Sequence, residues 1–89
     1  MKIKKGFKLK SVSGRQTVVA DRRIIKSFNS VIILNESAVF LWNLMCENDV
    51  TKEEMLARLT DDLKMSQVLA LSNTNVFIKT MKENGIIEE

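Results

Sequence analysis

The chain has 89 residues, of which 45% are hydrophobic and 28% are charged, with three Gly and no Pro. This length predicts one domain with a modest core, and the composition excludes a low-complexity chain. One Cys and no His exclude an internal disulfide and the usual zinc ligand sets. No apolar run approaches the ~18 residues that span a membrane, so we expect a soluble cytoplasmic protein.

Positive charge is concentrated in the first part of the chain. Residues 1–34 hold nine Lys and Arg against one Asp, a net charge of +8, and the remaining residues hold five against ten acids, a net charge of −5. A basic half indicates a polyanion or an acidic peptide as partner. A solvated sheet whose lysines oppose aggregation explains the pattern equally well.

Three strands are predicted before any helix. Phe7–Val12 alternates apolar and polar residues, which is typical of a half-buried strand. Ser13-Gly14 is a turn signal, so this strand forms a hairpin with Gln16–Ala20. Val31–Leu34 is a β-branched run closed by Leu, which predicts the third strand.

Capping residues predict where three helices begin. Asn35 is placed to cap a first helix of about residues 36–46, because its side chain can accept a bond from an unpaired backbone N–H. Thr51 and Glu54 have the spacing of a capping box, which opens the second helix. Ser66 is the predicted cap of the third helix.

The third helix is predicted to reach about Asn84, with Gly85 as its C-cap and Ile86-Ile87 packing back as an apolar tail. Its segment Ser72–Asn75 is polar and poor in helix propensity. We therefore expect the helix to start after this segment or to bend at it. The element order predicts an α+β fold over residues 1–89, a winged-helix-like domain with a three-stranded antiparallel N-terminal sheet followed by three helices.

The third helix has too much apolar surface for one buried face. One stripe faces the helical core, and the other meets the sheet or lines an open groove. The first stripe consists of Leu69, Val76, Phe77 and Met81, with Asn73 and Thr80 along it. The second stripe consists of Val68, Leu71, Asn75, Ile78 and Lys82.

Catalytic chemistry is not expected from this chain. No His is present to serve as a base, and the few Gly are scattered, so they form no phosphate-binding loop. The adjacent carboxylates Glu53-Glu54 and Asp61-Asp62 point in different directions on a helix, so neither pair is a natural acid–base dyad. We therefore expect no catalytic residue, no metal site and no cofactor, which leaves binding modules.

Several short motifs occur in an order that resembles the PqqD-like family, the small proteins named from pyrroloquinoline quinone biosynthesis. The resemblance covers nearly the whole chain, and its most specific part is Leu34-Asn35-Glu36-Ser37-Ala38. The other matching motifs are Gly6-Phe7-Lys8-Leu9, Val18-Val19, Phe28-Asn29, Phe40-Leu41-Trp42, Thr51-x-x-Glu54 and Glu83-Asn84-Gly85-Ile86-Ile87.

This resemblance implies a non-enzymatic recognition element for ribosomally made, modified peptides. Such a domain binds the leader segment of a precursor peptide as an added β-strand and presents it to a modifying enzyme, often a radical S-adenosylmethionine enzyme. Carried onto this chain, the docking strand is Val31, Ile32, Ile33 and Leu34. The third-helix wall of the cleft, chosen by helical phase, is Leu71, Asn75, Ile78, Lys79 and Lys82.

Two other functions stay open at this point. The first is a winged-helix domain that binds nucleic acid or another protein. A helix that reads a DNA groove would need positive charge, whereas here the positive charge lies on the strands. The second is a structural oligomer in which the free strand edge pairs with itself. A chain this small is expected to be a monomer or a weak or domain-swapped homodimer.

Overall fold

The computed structural model describes residues 1–88 and confirms the α+β class, with three helices and two small antiparallel sheets. No helix within these residues is long and apolar enough to cross a membrane. The helices are α1 (Glu36–Glu47), α2 (Lys52–Asp62) and α3 (Gln67–Glu83). The strands are β1 (Lys2–Ile3), β2 (Phe7–Val12), β3 (Arg15–Ala20), β4 (Ile33–Leu34) and β5 (Ile87–Glu88).

The larger sheet has the strand order β2-β3-β4. Its hairpin turns through Ser13 and Gly14, whose φ angles of 52° and 76° are both positive. Positive φ at both central residues defines a type I′ turn, which matches the twist of the flanking strands. The register that follows pairs Val12 with Arg15 and Phe7 with Ala20.

The third strand is shorter than the predicted Val31–Leu34. Its ladder with β3 contains Ile33 and Leu34, which pair with Thr17 and Gln16. One further hydrogen bond, from the Val18 N–H to the carbonyl oxygen of Ile32 (2.9 Å), continues the antiparallel alignment. This brief ladder leaves β4 held to the sheet by few backbone hydrogen bonds.

A second sheet of two strands joins the two ends of the described chain. Ile3 of β1 pairs with Ile87 of β5, and the Lys4 N–H donates to the Ile86 carbonyl oxygen at 2.8 Å. The predicted apolar tail therefore packs back as expected and also forms a strand. The prediction of a single N-terminal sheet is incomplete, because strands of two residues carry no readable periodicity.

The helices begin at the predicted caps. Asn35 has extended backbone angles, and its Oδ1 accepts the Ala38 N–H at 2.9 Å. In α2 the capping box is reciprocal, since Thr51 Oγ1 accepts from the Glu54 N–H at 3.1 Å and Glu54 Oε1 accepts from the Thr51 N–H at 3.2 Å. Ser66 Oγ accepts the Leu69 N–H at 3.2 Å and opens α3.

Helix α3 begins at Gln67 and continues through Ser72–Asn75, so the expectation of a start after this segment was wrong. Tertiary contacts override the weak helix propensity of this segment. Thr74 is completely buried, and Asn73 Nδ2 donates to the Leu69 carbonyl oxygen one turn earlier at 2.8 Å. Both polar side chains are therefore held in helical positions.

The core lies between the inner face of the larger sheet and the three helices. Every helix contributes completely or almost completely buried side chains, as do β3 and the tail before β5. Phe7 and Phe28 meet edge to face, with ring centroids 5.3 Å apart, which anchors the loop before β4. The most deeply buried large side chains are Leu41, Met45, Met55, Leu59, Met81 and Ile86.

The buried hydroxyl of Thr74 yields a stability prediction. Its Oγ1 has no hydrogen-bond partner among the described residues. Because an unpaired buried hydroxyl is costly, Thr74→Val should raise the free energy of unfolding by about 1–2 kcal/mol, as measured by urea denaturation. The control is Thr60→Val on α2, where the lost hydroxyl donates to the Leu56 and Ala57 carbonyl oxygens, and no stabilisation is expected. Destabilisation by Thr74→Val would show that its hydroxyl is satisfied.

The loop after β3 begins at Asp21. Its carbonyl oxygen accepts the N–H groups of Ile24 and Ile25, and its own N–H donates to the Gly6 carbonyl oxygen. The Asp21 carboxylate accepts the Nε, Nη2 and backbone N–H of Arg23 at 2.9–3.1 Å. Hydrogen bonds from the Arg23 side chain, and secondarily from its backbone, lower the pKa of Asp21.

This lowered pKa gives a pH prediction with a definite sign. Because the folded pKa lies below the unfolded value, the ionised carboxylate stabilises the fold above the unfolded pKa, and this contribution is lost as the pH falls through the folded pKa. The loss of unfolding free energy in Asp21→Asn should therefore be largest at neutral pH and small overall, because the pair is exposed. Urea denaturation at neutral and strongly acidic pH measures it. A loss of the same size at both would contradict the role of the charge.

Candidate functional site

A groove of about 260 Å³ lies between β4 and α3, and we call it the β4–α3 groove. Strand β4 and the start of α1 form one wall, and the middle turns of α3 form the other. The groove is therefore built where the third strand becomes a helix. It is lined by Ile32, Ile33, Leu34, Asn35, Ser37, Ala38, Ser72, Asn73, Val76, Phe77, Thr80 and Met81.

Strand β4 presents an unpaired backbone edge to this groove. It is the last strand in the order β2-β3-β4, and within residues 1–88 it pairs with β3 on one side and with no strand on the other. Because the Ile32 carbonyl oxygen points toward β3, where it accepts from Val18, the alternation of an antiparallel ladder turns the N–H and carbonyl of Ile33 the other way. One donor and one acceptor thus lie at the open edge.

The side chains around β4 alternate between the two faces of the sheet. Ile32 and Leu34 face the core and are 8% and 9% exposed, whereas Val31 and Ile33 are 81% and 49% exposed. An exposed pair of β-branched residues on an edge strand is an aggregation hazard that proteins usually cover or charge. The apolar side chains and the open edge therefore coincide at β4.

The four predicted docking residues, Val31–Leu34, lie at the β4 side of the groove, although Val31 is not part of its lining. None of the five residues predicted for the α3 wall lines the groove. On α3 that wall is formed by Asn73, Val76, Phe77, Thr80 and Met81 with Ser72.

The five predicted wall residues lie elsewhere on α3. Leu71 lines a separate cavity against Leu56 and Ala57 of α2, and Ile78 is half-buried against the core. Asn75, Lys79 and Lys82 are exposed. Neither predicted stripe contains Ala70 and Thr74, which form the buried face of α3 together with Phe77 and Met81. Phe77 and Met81 are buried in the core and also line the groove. A residue of the core stripe can therefore belong to the candidate site.

Sequence reasoning missed the polar side chains that join the segment around β4 to α3. Ser37 Oγ at the start of α1 lies 3.0 Å from Asn73 Oδ1 on α3 and 3.1 Å from Asn35 Oδ1, so it can donate its one proton to either oxygen. Ser30 Oγ, before β4, donates to Asn84 Oδ1 after α3 at 2.5 Å. Each bridge joins residues at least 36 positions apart, and a single sequence gives no signal for such a pairing.

Reactive side chains are sparse around the groove. Cys46 lies on α1 outside the groove lining, and burial, reinforced by Glu47, raises the pKa of its thiol. A raised pKa keeps the thiol protonated at neutral pH, the opposite of an activated nucleophile. Within residues 1–88, no group of three or more His, Cys, Asp or Glu could hold a metal ion. The groove offers hydrogen-bonding and apolar groups for binding.

Comparison with known proteins gives no assignment. No protein-family model matches the chain. No curated protein and no solved structure matches it either. The functional inference consequently depends on the geometry of the β4–α3 groove and on the motifs of the sequence.

The edge geometry predicts a contrast in hydrogen exchange between two neighbouring strands. The Val18 amide is hydrogen-bonded between β3 and β4, so it should exchange slowly, whereas the Ile33 amide at the open edge should exchange at least about tenfold faster. Amide exchange followed by NMR on the labelled full chain measures both. Comparable protection of Ile33 and Val18 would mean that the edge is covered.

Proposed function

We propose that this chain is a PqqD-like peptide-recognition domain that binds the leader segment of a ribosomally made precursor peptide. The leader adds to β4 as an antiparallel or parallel strand and is presented to a modifying enzyme, of the radical S-adenosylmethionine class. The single observation that carries the proposal is the unpaired edge of β4 facing the groove beside α3. The chain itself has no catalytic role in this scheme and works in the cytoplasm.

An added strand suits the chemistry of this groove. Neighbouring strands lie about 4.8 Å apart and are joined by backbone hydrogen bonds, which give affinity without requiring a particular sequence. The N–H and carbonyl of Ile33 supply the first such pair. Alternate side chains of the peptide then point toward Val76 and Phe77 on α3, and these contacts supply specificity.

The basic sheet supports an acidic leader. Lys8, Lys10 and Arg15 are exposed on β2 and β3. Within residues 1–88, Lys10 and Arg15 take part in no ion pair, so their charges are available to a partner. Charges at the rim of a binding site act mainly on the association rate, so the leader should bind faster at low salt than at high salt.

The alternative functions have weaker support from the fold. The winged-helix-like arrangement also suits nucleic-acid binding, but α2 exposes Glu53, Glu54, Asp61 and Asp62, which repel phosphate. Self-pairing of β4 between two copies would bring a second α3 to the same edge, where the first α3 already stands. A single extended peptide carries no such obstacle, so peptide capture by a monomer is favoured.

Two matched substitutions on α3 test the proposal. Val76 is 62% exposed and lines the groove, whereas Val68 is 79% exposed and lies outside it. Val76→Glu should weaken binding of a leader peptide about tenfold or more, equivalent to about 1.4 kcal/mol, because it places a charge against apolar peptide side chains. Val68→Glu should bind like the unmodified chain.

The probe is a synthetic leader from a precursor peptide encoded beside this chain's gene, titrated into the labelled protein and followed by NMR. Binding should shift the signals of Ile33 and of the α3 residues that line the groove. Equal affinities for the two variants would remove the groove from the binding site. An unchanged spectrum, with and without the neighbouring modifying enzyme, would overturn the proposed function.

A further inference from the structure

Two hydrogen bonds of the same design join residues on either side of β4 to α3 and its C-cap, and we call each one a clasp. Asn73 donates from Nδ2 to the Leu69 carbonyl oxygen at 2.8 Å and accepts from Ser37 Oγ. Asn84 donates from Nδ2 to the Thr80 carbonyl oxygen at 2.8 Å and accepts from Ser30 Oγ. In both clasps the hydrogen bond from Nδ2 to the preceding helical turn fixes the orientation of the Asn side-chain amide. Its Oδ1 therefore faces the Ser hydroxyl.

The clasps lie at the two ends of β4. Ser30 precedes the strand and Ser37 follows it, and their partners are in reversed order along α3, so the strand and the helix run antiparallel. Asn73 and Asn84 are eleven residues apart, which corresponds to about 16.5 Å along a helix and about three full turns. Both side chains therefore point to the same face, and the groove between them has two defined ends.

Each clasp borders a cavity next to the groove. Ser30 and Asn84 line a cavity of about 460 Å³, whose charged residues are Lys4, Lys26 and Glu83. Ser37 lines a cavity of about 340 Å³, whose charged residue is Glu36. The two cavities therefore differ in net charge, since the first has one more cation than carboxylate and the second has a single carboxylate.

We propose that the two clasps set the length of the peptide segment that the groove admits. This inference rests on the proposed function, since it concerns the same site. An extended strand advances about 3.3 Å per residue, so a span of about 16.5 Å holds about five residues. A longer peptide leaves the groove at each clasp, because a strand lying beside β4 cannot pass through a closed hydrogen bond.

Removing one clasp would extend the groove into the cavity beside it, and the charged residues of that cavity determine which peptide residues it favours. Without the Ser30–Asn84 clasp, the groove would join the cavity that carries Lys4 and Lys26 against Glu83, and this excess of one positive charge favours acidic peptide residues there. Without the Ser37–Asn73 clasp, the groove joins the cavity that carries Glu36, which disfavours acidic residues. The two openings therefore have opposite consequences for charge.

Selection from a phage-displayed library of random linear peptides, longer than the groove, tests this inference on the immobilised full chain. The variants are Ser30→Ala and Ser37→Ala, each of which deletes a single oxygen atom. Ser37→Ala also removes the 3.1 Å contact with Asn35 Oδ1, whereas the bond from the Ala38 N–H that caps α1 does not involve Ser37. The unmodified chain should select a motif of about five positions. Ser30→Ala should select a motif about two positions longer at one end, enriched several-fold in Asp and Glu there, and Ser37→Ala a motif extended at the other end without acidic enrichment.

Each outcome has one meaning. Asn84→Ala removes the first clasp from its other side and should reproduce the motif of Ser30→Ala, and circular dichroism establishes that every variant is folded. Motifs of equal length on the unmodified chain and on all the folded variants would overturn the length-setting role while leaving peptide binding intact. No enriched motif on the unmodified chain would overturn the proposed function and this inference with it.

Discussion

The conversion of strand into helix at Asn35 is the constraint on which the rest of the structure depends. A single residue with extended backbone angles ends β4, and its side chain satisfies the first turn of α1 through the Ala38 N–H. Because no loop intervenes, the direction of α1 is fixed relative to the sheet. Trp42 and Met45 then reach the core from a defined angle, and β4 lies at the edge of the sheet.

Helix α3 serves several surfaces at once, which explains its unusual sequence. Its buried face combines the small or polar Ala70 and Thr74 with Phe77 and Met81, and other apolar residues such as Val76 are exposed. A helix that served only a core would leave fewer apolar side chains exposed. Exposed apolar side chains in a groove, with polar residues at its rim, are typical of an interaction surface.

Elements with a local cause could be predicted from the sequence. The caps at Asn35, Thr51 and Ser66 are short-range hydrogen bonds whose donors lie three residues away, so the residue types alone were sufficient. The hairpin at Ser13-Gly14 is equally local. These features fixed the order of strands and helices, and with it the position of the edge strand.

Features that depend on distant residues could not be predicted. Strands β1 and β5 are defined only by each other, since neither has enough residues for a pattern. The residues predicted for the α3 wall do not line the groove, because amphipathic periodicity does not identify the neighbours of a helix. The contact between Asn73 and Ser37 joins residues 36 positions apart and likewise has no signal in the sequence.

The eleven-residue interval between Asn73 and Asn84 limits how this chain can vary in evolution. Each residue inserted into or deleted from that part of α3 would rotate one clasp by about 100° around the helix axis, which would turn it away from the groove. The loop between Ala20 and Ser30 is constrained in a different way, because Phe28 is buried against Phe7 and Asp21 is hydrogen-bonded to Gly6. Related chains should therefore preserve the residue count of the helix that faces β4.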